Sequence, residues 1–307
     1  MIELDNVTKR YGDIAVVDRL TLGVHTGEFC ALVGTSGAGK STTLRMINRL
    51  TSASAGVIRL DGVDVAQMRP ELLRRRIGYV IQSIGLFPHW TVARNVAAVP
   101  ELLAWPRAKI QARVEELLVM LQLDPRRFAD QYPHQLSLGQ QQRVGIARAL
   151  AADPDMLLMD EPFAALDPIT RDALQGEIAR IHRERRNTII FVTHDMNEAL
   201  RLASRIALLD RGRLAQAGSA LDLLAKPASD FVRDFVGRDD LGLKLLSVET
   251  VATRLRAGET APGEPIAAAA SLRQALSQMI ERGTDRLAVS DGARSLGAIH
   301  LADLLRR

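Results

Sequence analysis

The sequence of 307 residues predicts a layered α/β fold built on a central, mostly parallel sheet. Residues 29–33, 156–159 and 188–193 are short, continuous apolar runs, which are typical of strands buried on both faces. Helical patterns, for example at 110–121 and 171–185, separate these runs. Strands that alternate with helices usually pair in parallel, because each helix carries the chain back across the sheet.

The composition is that of a globular protein, with 47% hydrophobic and 25% charged residues. The single cysteine, Cys30, excludes an intrachain disulfide and fits a reducing compartment. No apolar run reaches the roughly 18 residues of a membrane-spanning helix, and the first residues do not resemble a signal peptide. The net charge is +4, but the basic residues are scattered and aromatic residues make up only 4%. We therefore expect a cytoplasmic protein without a nucleic-acid partner, which reaches a membrane only through another protein.

Three stretches of the chain differ in pattern. Residues 1–237 hold the alternating strands and helices. Residues 238–265 contain charge, glycine and proline clusters and are predicted to be a linker. Residues 266–307 are predicted to form a small α/β unit, with a helix after Ser271 and two strands around the turn signal Asp291-Gly292.

A glycine-rich loop follows the first buried run directly. Residues 34–41 match the pattern GxxxxGK[ST], and the helical pattern at 41–50 begins where the loop ends. Glycines let backbone N–H groups approach phosphate oxygens, and the amino terminus of a helix adds positive potential. In such a loop Lys40 contacts the β- and γ-phosphates and the Ser41 hydroxyl binds Mg²⁺. We therefore predict a site for a nucleoside triphosphate.

Two carboxylates follow the second buried run. Asp160 stands at the predicted end of the strand, where it can hold Mg²⁺ directly or through water. Glu161 lies one residue further toward the γ-phosphate, where it can polarise the attacking water. Adjacent acids after a strand also serve as helix caps, and the phosphate loop is what favours the catalytic interpretation.

Further motifs stand in a fixed order around these two. They are Tyr11, Gln82, the segment 137–140, Asp167 and His194. Their order and spacing resemble those of the ATP-binding subunit of an ABC transporter, and the resemblance covers the chain up to about residue 237. It implies a P-loop cassette with a parallel-sheet core, an antiparallel β subdomain and a helical subdomain that carries a signature segment.

The resemblance also implies the cofactors ATP and Mg²⁺ and an ATP-hydrolysing enzyme. Tyr11 would stack on adenine, Gln82 would sense Mg²⁺ and the membrane partner, and His194 would act as the switch histidine at the γ-phosphate. The residues assigned to ATP binding are Tyr11, Gly34, Thr35, Ser36, Gly37, Ala38, Gly39, Lys40, Ser41 and Thr42. Catalysis is assigned to Lys40, Gln82, Glu161 and His194, and metal binding to Ser41, Gln82 and Asp160.

In the family, two copies close head to tail over two ATP molecules. The signature segment of one copy then acts on the nucleotide of the other; here it consists of Ser137, Leu138, Gly139 and Gln140. Asp167 matches the D-loop. The family has two successive glycines after the serine, and Leu138 stands in place of the first. This departure puts closure of the dimer or the rate of turnover in question, but not nucleotide binding.

The segment after about residue 237, here called the tail, indicates one subgroup of this family. Residues 235–247 are similar to the junction in importers of glycine betaine, choline, carnitine and proline. Residues 266–307 resemble a single CBS motif, and 238–265 are a linker or a degenerate remnant, too short for a full second motif. With a single motif, the CBS-like unit either pairs with its counterpart across the dimer or provides reduced regulation. The other interpretation is a small domain that only aids folding or dimerisation.

The resemblance therefore implies the ATPase of an importer for quaternary-amine osmoprotectants, peripheral at the cytoplasmic face of the membrane. Its expected partners are a second copy, two transmembrane permease subunits and, indirectly, a solute-binding protein. Phe87, Pro88 and Trp90, beside Gln82, suit a groove for the permease, and local core packing is the other interpretation of these residues. The alternatives are an importer ATPase for amino acids or another solute, a non-transport ABC ATPase, and a binding module whose P-loop only senses nucleotide.

Overall fold

The structure is a computed structural model that describes residues 1–164, 166–237, 240–292 and 294–304. The chain divides into two compact units. The first is formed by Met1–Asp195 and Leu202–Ala217, and the second by Met196–Arg201 and the described part of Gly218–Arg307.

The first unit contains two sheets and a set of helices. Its strands are β1 (Ile2–Tyr11), β2 (Ile14–Val24), β3 (Phe29–Gly34), β4 (Ala55–Leu60), β5 (Val63–Asp64), β6 (Ile77–Val80), β7 (Met156–Asp160), β8 (Thr188–Val192), β9 (Arg205–Asp210) and β10 (Arg213–Gly218, whose last residue belongs to the second unit). Its helices are α1 (Lys40–Ile47), α2 (Pro70–Arg75), α3 (Val92–Leu102), α4 (Arg107–Met120), α5 (Pro125–Phe128), α6 (Leu138–Leu150) and α7 (Pro168–Arg185), with a 3₁₀ turn at Pro133–Gln135.

The larger sheet has the strand order β10-β9-β3-β8-β7-β6. The neighbours from β9 to β6 pair in parallel. Every residue of β3, β7 and β8 is buried, as the three apolar runs predict. Because parallel strands end at the same edge, the loops after β3, β6, β7 and β8 meet there. This edge carries most of the predicted site residues.

The smaller sheet, in the order β2-β1-β4-β5, is antiparallel throughout. Its inward residues, such as Leu4, Leu22 and Ile58, share one hydrophobic core with Leu32 and Ile190 of the larger sheet. Helix α3 packs against α4 and α6 to form a helical part. The predicted α/β cassette, with an antiparallel β part and a helical part, is therefore confirmed.

The second unit has its own sheet and core. Its elements are α8 (Met196–Leu202, whose last residue belongs to the first unit), α9 (Ala220–Ala225), α10 (Asp230–Val236), α11 (Leu241–Val248), a 3₁₀ turn at Val251–Thr253, β11 (Arg256–Ala257), β12 (Ile266–Ala267), α12 (Leu272–Arg282), β13 (Arg286–Asp291), β14 (Arg294–His300) and α13 (Leu301–Leu304). The strand order is β11-β14-β13-β12. The predicted helix after Ser271 is α12, and the two predicted strands are β13 and β14.

Part of the predicted linker is structured. Residues 241–248 form α11, and Leu246 packs against the core of the second unit, which includes Leu272, Val289 and Ile299. The apolar residues of this helix supply the physical reason, since they can be buried only against another element. Arg238 and Asp239, where the linker is predicted to begin, lie outside the described residues. The domain boundaries and the likeness to a CBS motif stay predictions.

Candidate nucleotide-binding site

The loop between β3 and α1 has a backbone that only glycine fits at two points. Gly34 has φ 150° and Gly39 has φ 89°. A Cβ atom on Gly34 would lie 2.3 Å from the carbonyl oxygen of Leu209, and one on Gly39 would lie 2.6 Å from that of Val16. These glycines therefore let the loop pack directly against the backbone of β9 and β2, and they also leave backbone N–H groups accessible to phosphate.

Lys40 is the first residue of α1 and is buried. Its Nζ donates hydrogen bonds to the carbonyl oxygens of Gly34 (2.8 Å) and Thr35 (2.9 Å). Burial lowers the pKa of the Lys40 ammonium, and the nearby carboxylates of Glu161 and Asp160 oppose that shift. The cation is thus held across the phosphate loop by hydrogen bonds to the loop itself.

Asp160 ends β7 and is buried beneath the phosphate loop. Its Oδ1 accepts a hydrogen bond of 2.7 Å from the Ser41 hydroxyl. Burial raises the pKa of the Asp160 carboxyl, whereas the bond from Ser41 lowers it. A hydroxyl and a carboxylate in contact are oxygen ligands of the kind that Mg²⁺ prefers, so the two residues fit the predicted metal site.

Glu161 follows in a strained backbone conformation. Its φ is 47°, in the left-handed region, and its N–H donates to the carbonyl of Val192 on the neighbouring strand (3.1 Å). The carboxylate meets two predicted partners. Its Oε2 accepts a hydrogen bond from Gln82 Nε2 (3.1 Å), and its Oε1 lies 3.6 Å from His194 Nδ1. The turn therefore directs the side chain away from buried Asp160 and toward Gln82 and His194.

These groups border one cavity of about 460 Å³. It is lined by Val16, Ser36, Gly37, Ala38, Gly39, Lys40, Ser41, Thr42, Gln82, Glu161 and His194. The structure thus brings together the phosphate loop and the residues predicted to act on the γ-phosphate. The carboxyl edge of a parallel sheet is where such folds bind ligands.

Of the residues predicted for ATP binding, catalysis or metal binding, four do not line this cavity, and one lining residue was missed. Gly34 and Thr35 face Lys40, and Asp160 reaches the site through Ser41. Tyr11, at the end of β1, is 53% exposed, and the Lys9 ammonium lies 4.9 Å from its ring centroid. The missed residue is Val16 of β2. No motif marks it, because its place beside the loop depends on the packing of the smaller sheet.

The predicted signature segment begins α6. The Ser137 hydroxyl accepts a hydrogen bond from the N–H of Gln140 (3.3 Å), and Gln140 Oε1 accepts one from the N–H of Ser137 (2.9 Å), which is a capping box. Gly139 is buried, whereas Leu138 is 45% exposed. The four residues lie outside the lining of the cavity described above.

Asp167, the predicted D-loop residue, caps α7. Its Oδ1 accepts a hydrogen bond of 3.0 Å from the N–H of Thr170. Hydrogen bonds from Thr170 hold the pKa of the Asp167 carboxyl below its usual value. The local role of this residue is therefore structural, and a role between two copies stays a prediction.

Leu138→Gly is expected to change the kcat of ATP hydrolysis by less than about tenfold, which corresponds to about 1.4 kcal/mol. The Leu138 side chain is half exposed at the first turn of α6, and the capping box around it involves only its neighbours. ATP affinity of the monomer should stay unchanged. Steady-state kinetics at several protein concentrations measure the effect, with Leu138→Ala as the matched variant. A large gain in rate, with dimers at much lower concentration, would mean that Leu138 obstructs closure.

The loop after Gln82 carries the aromatic residues predicted to meet a partner. Phe87 is 41% exposed and Pro88 is exposed, and the ring of Trp90 lies 4.3 Å from that of Phe87. The side chain of Asn95 holds this turn, because it accepts from the N–H of Phe87 (2.8 Å) and donates to the Phe87 and Trp90 carbonyls (3.1 Å each). Phe87 and Pro88 therefore lie at the protein surface rather than in the core.

The fold and the phosphate loop define a P-loop nucleotide-binding protein, and comparison with known proteins agrees. The protein-family model for the ABC transporter matches residues 17–164. The glycine betaine uptake system ATP-binding protein YehX of Escherichia coli (strain K12) is 52% identical, over 99% of each chain. The glycine betaine/carnitine/choline transport ATP-binding protein OpuCA of Bacillus subtilis (strain 168) is 45% identical, over 95% of this chain and 76% of its own.

A solved structure is also similar. It is an ATP-binding cassette in a dimeric, post-hydrolysis state bound to ADP and Pi, with a TM-score of 0.66 and 35% identity, over 71% of this chain and 98% of its own. The present chain belongs to the ABC transporter family, as the order of its motifs predicts. It is an ATPase that uses ATP with Mg²⁺. None of its described helices is long and apolar enough to span a membrane.

Proposed function

We propose that this chain is the ATP-hydrolysing subunit that powers import of quaternary-amine osmoprotectants such as glycine betaine, choline, carnitine and proline betaine. It works as a head-to-tail homodimer at the cytoplasmic face of the membrane, bound peripherally to two permease subunits. A solute-binding protein delivers the substrate to the permease, so the substrate never touches this chain.

One observation carries the substrate class. The similarity to the glycine betaine uptake protein extends over 99% of both chains at 52% identity, so it includes the tail as well as the cassette. The solved cassette, by contrast, corresponds to only 71% of this chain. The tail therefore supports the osmoprotectant class over an amino-acid importer.

The geometry of Glu161 supports its role in hydrolysis. With Gln82 on one carboxylate oxygen and His194 near the other, the carboxylate is held at the cavity where the γ-phosphate would lie. In this role Glu161 accepts a hydrogen bond from water and orients it toward the γ-phosphorus. The water oxygen then bonds to the γ-phosphorus while the bond from that phosphorus to the bridging oxygen of ADP breaks. One water proton passes to the Glu161 carboxylate, and inorganic phosphate leaves.

The remaining residues bind and neutralise the phosphates. Lys40 and the loop N–H groups hold the β- and γ-phosphates, and His194 contacts the γ-phosphate. Ser41 and Asp160, with Gln82, would hold Mg²⁺, which when bound neutralises charge on the phosphate oxygens. Tyr11, exposed at the end of β1, is available to stack on adenine.

The second copy completes the site in this proposal. The first turn of α6, with Ser137 and Gly139, offers N–H groups to the γ-phosphate of the partner's ATP. Closure moves the loop after Gln82, whose exposed Phe87 and Pro88 contact the permease. We infer that the CBS-like unit at 266–307 regulates the assembled importer.

Uptake into vesicles tests the proposal. The chain is reconstituted into vesicles with its permease and solute-binding protein, and ATP is enclosed on the side of this subunit. We expect ATP-dependent uptake of radiolabelled glycine betaine or choline, and none with Glu161→Gln. If only an amino acid is taken up, the proposed substrate class is wrong and the chain serves an amino-acid importer. Hydrolysis without any association with a permease would favour a non-transport ATPase.

A further inference from the structure

Arg148 joins the helix of the signature segment to the loop that carries Gln82. It lies near the end of α6 and is partly buried. Its guanidinium donates hydrogen bonds to two successive backbone carbonyls after β6, those of Ile84 (3.0 Å) and Gly85 (2.7 Å). Guanidinium groups present several donors in a fixed plane, so a pair of carbonyls can be held in one orientation.

The held segment has a backbone that is unfavourable by itself. Ile84 has φ 63° and Gly85 has φ 58°, so two successive residues are left-handed. This conformation is rare for a β-branched residue and persists only where the surroundings enforce it. The Ile84 side chain is buried, and its Cγ2 packs where α6 carries Gly145. Helix α6 thus fixes the loop through the carbonyls and through the side chain of Ile84.

The same loop connects two places that matter for activity. Two residues before Ile84, the Gln82 amide donates to the Glu161 carboxylate. Two residues after Gly85 comes exposed Phe87, whose ring centroid lies 5.9 Å from the Arg148 guanidinium carbon. A shift of the Ile84–Gly85 backbone therefore displaces Gln82 at one end and the aromatic surface at the other.

We propose that Arg148 is a positioning residue for ATP hydrolysis: it sets the loop after β6 so that Gln82 meets Glu161. It does not touch the nucleotide cavity, so it acts through Gln82. Since α6 starts at the signature segment, the contact also ties the position of this loop to the helix that meets the second copy's ATP. This inference rests on the proposed role of Glu161.

Kinetics of full-length Arg148→Met and Arg148→Lys test the proposal. We expect Arg148→Met to lower kcat roughly tenfold, with KM for ATP within about twofold of wild type, since the phosphate loop is untouched. Arg148→Lys, whose ammonium can reach one of the two carbonyls, should have a kcat between those of wild type and Arg148→Met. It also replaces Arg148→Met as the test variant if that variant does not fold. In a Trp105→Phe background, Trp90 is the remaining tryptophan. Its fluorescence should report a changed loop in Arg148→Met.

Arg113→Met is the matched control. Arg113 also donates to two successive carbonyls at the end of α6, those of Leu150 (2.8 Å) and Ala151 (3.2 Å), but it does not contact the loop after β6 in any described hydrogen bond. It should lose thermal stability while keeping kcat. If both variants lose kcat in proportion to stability, or if Arg148→Met keeps kcat, the proposal is wrong. Should Glu161→Gln itself keep wild-type turnover, the failure lies with the proposed function.

Discussion

Glu161→Gln is expected to abolish most ATP turnover while leaving ATP binding intact. Glutamine has the same size as glutamate and keeps one side-chain oxygen as an acceptor for the Gln82 amide. In the wild-type protein, Gln82 Nε2 lies 3.1 Å from Glu161 Oε2. It loses the negative charge and the second acceptor that orient water. A positioned acid or base contributes roughly 10²–10⁴-fold to rate, so kcat should fall by that factor. In the proposed head-to-tail dimer, hydrolysis would separate the two copies, so an ATP-bound dimer of the variant should accumulate.

Phosphate release and size-exclusion chromatography with ATP measure the two effects. Glu281→Gln is the control, because it replaces a carboxylate by an amide at a position away from the cavity. Glu281 is exposed on α12 in the second unit. It should hydrolyse ATP at the wild-type rate. Turnover of Glu161→Gln within a few-fold of wild type would assign the water-positioning role to another residue.

Lys40→Ala should weaken ATP binding. A charge-assisted contact to phosphate contributes about 1.5–3 kcal/mol, so affinity should fall roughly 10–150-fold. The structure adds a second cause. Lys40 Nζ also ties the carbonyls of Gly34 and Thr35, so its loss loosens the loop that presents the N–H groups. Calorimetric titration of the full-length protein with ATP measures the change.

Lys109→Ala is the matched control for charge. Lys109 lies on α4, with its ammonium 3.7 Å from the ring centroid of Trp105, and it does not line the cavity. Its ATP affinity should equal that of wild type. An affinity of Lys40→Ala within twofold of wild type would remove the phosphate loop from the binding site.

Much of the site could be predicted because its chemistry is local. The interval from Gly34 to Ser41 sets a loop and a helix start, and Asp160 and Glu161 directly follow a strand that is recognisable by its apolar run. Strands β3 and β7 then end at one edge in any parallel sheet. The meeting of the phosphate loop with Glu161 at one cavity, and of Asp160 with Ser41 beside it, thus follows from local patterns and one general rule of topology.

Other features of the site depend on distant segments. The signature segment and Asp167 could be recognised in the sequence, but their capping roles for α6 and α7 appear only in the folded chain. Val16 joins the cavity because the smaller sheet packs beside the loop. The helix at 241–248 lies where clusters of charge, glycine and proline predicted a linker, and it is stabilised by a core formed from residues up to 304.

The class of fold, the nucleotide chemistry and the family can be predicted from the amino-acid sequence, since each depends on residue types at short, fixed spacing. Three features are set only in the folded chain: the left-handed backbone of Glu161, the two carbonyls held by Arg148 and the surface exposure of Leu138. These depend on contacts between residues far apart in the chain. The free energy of such contacts exists only after the sheet and helices have packed.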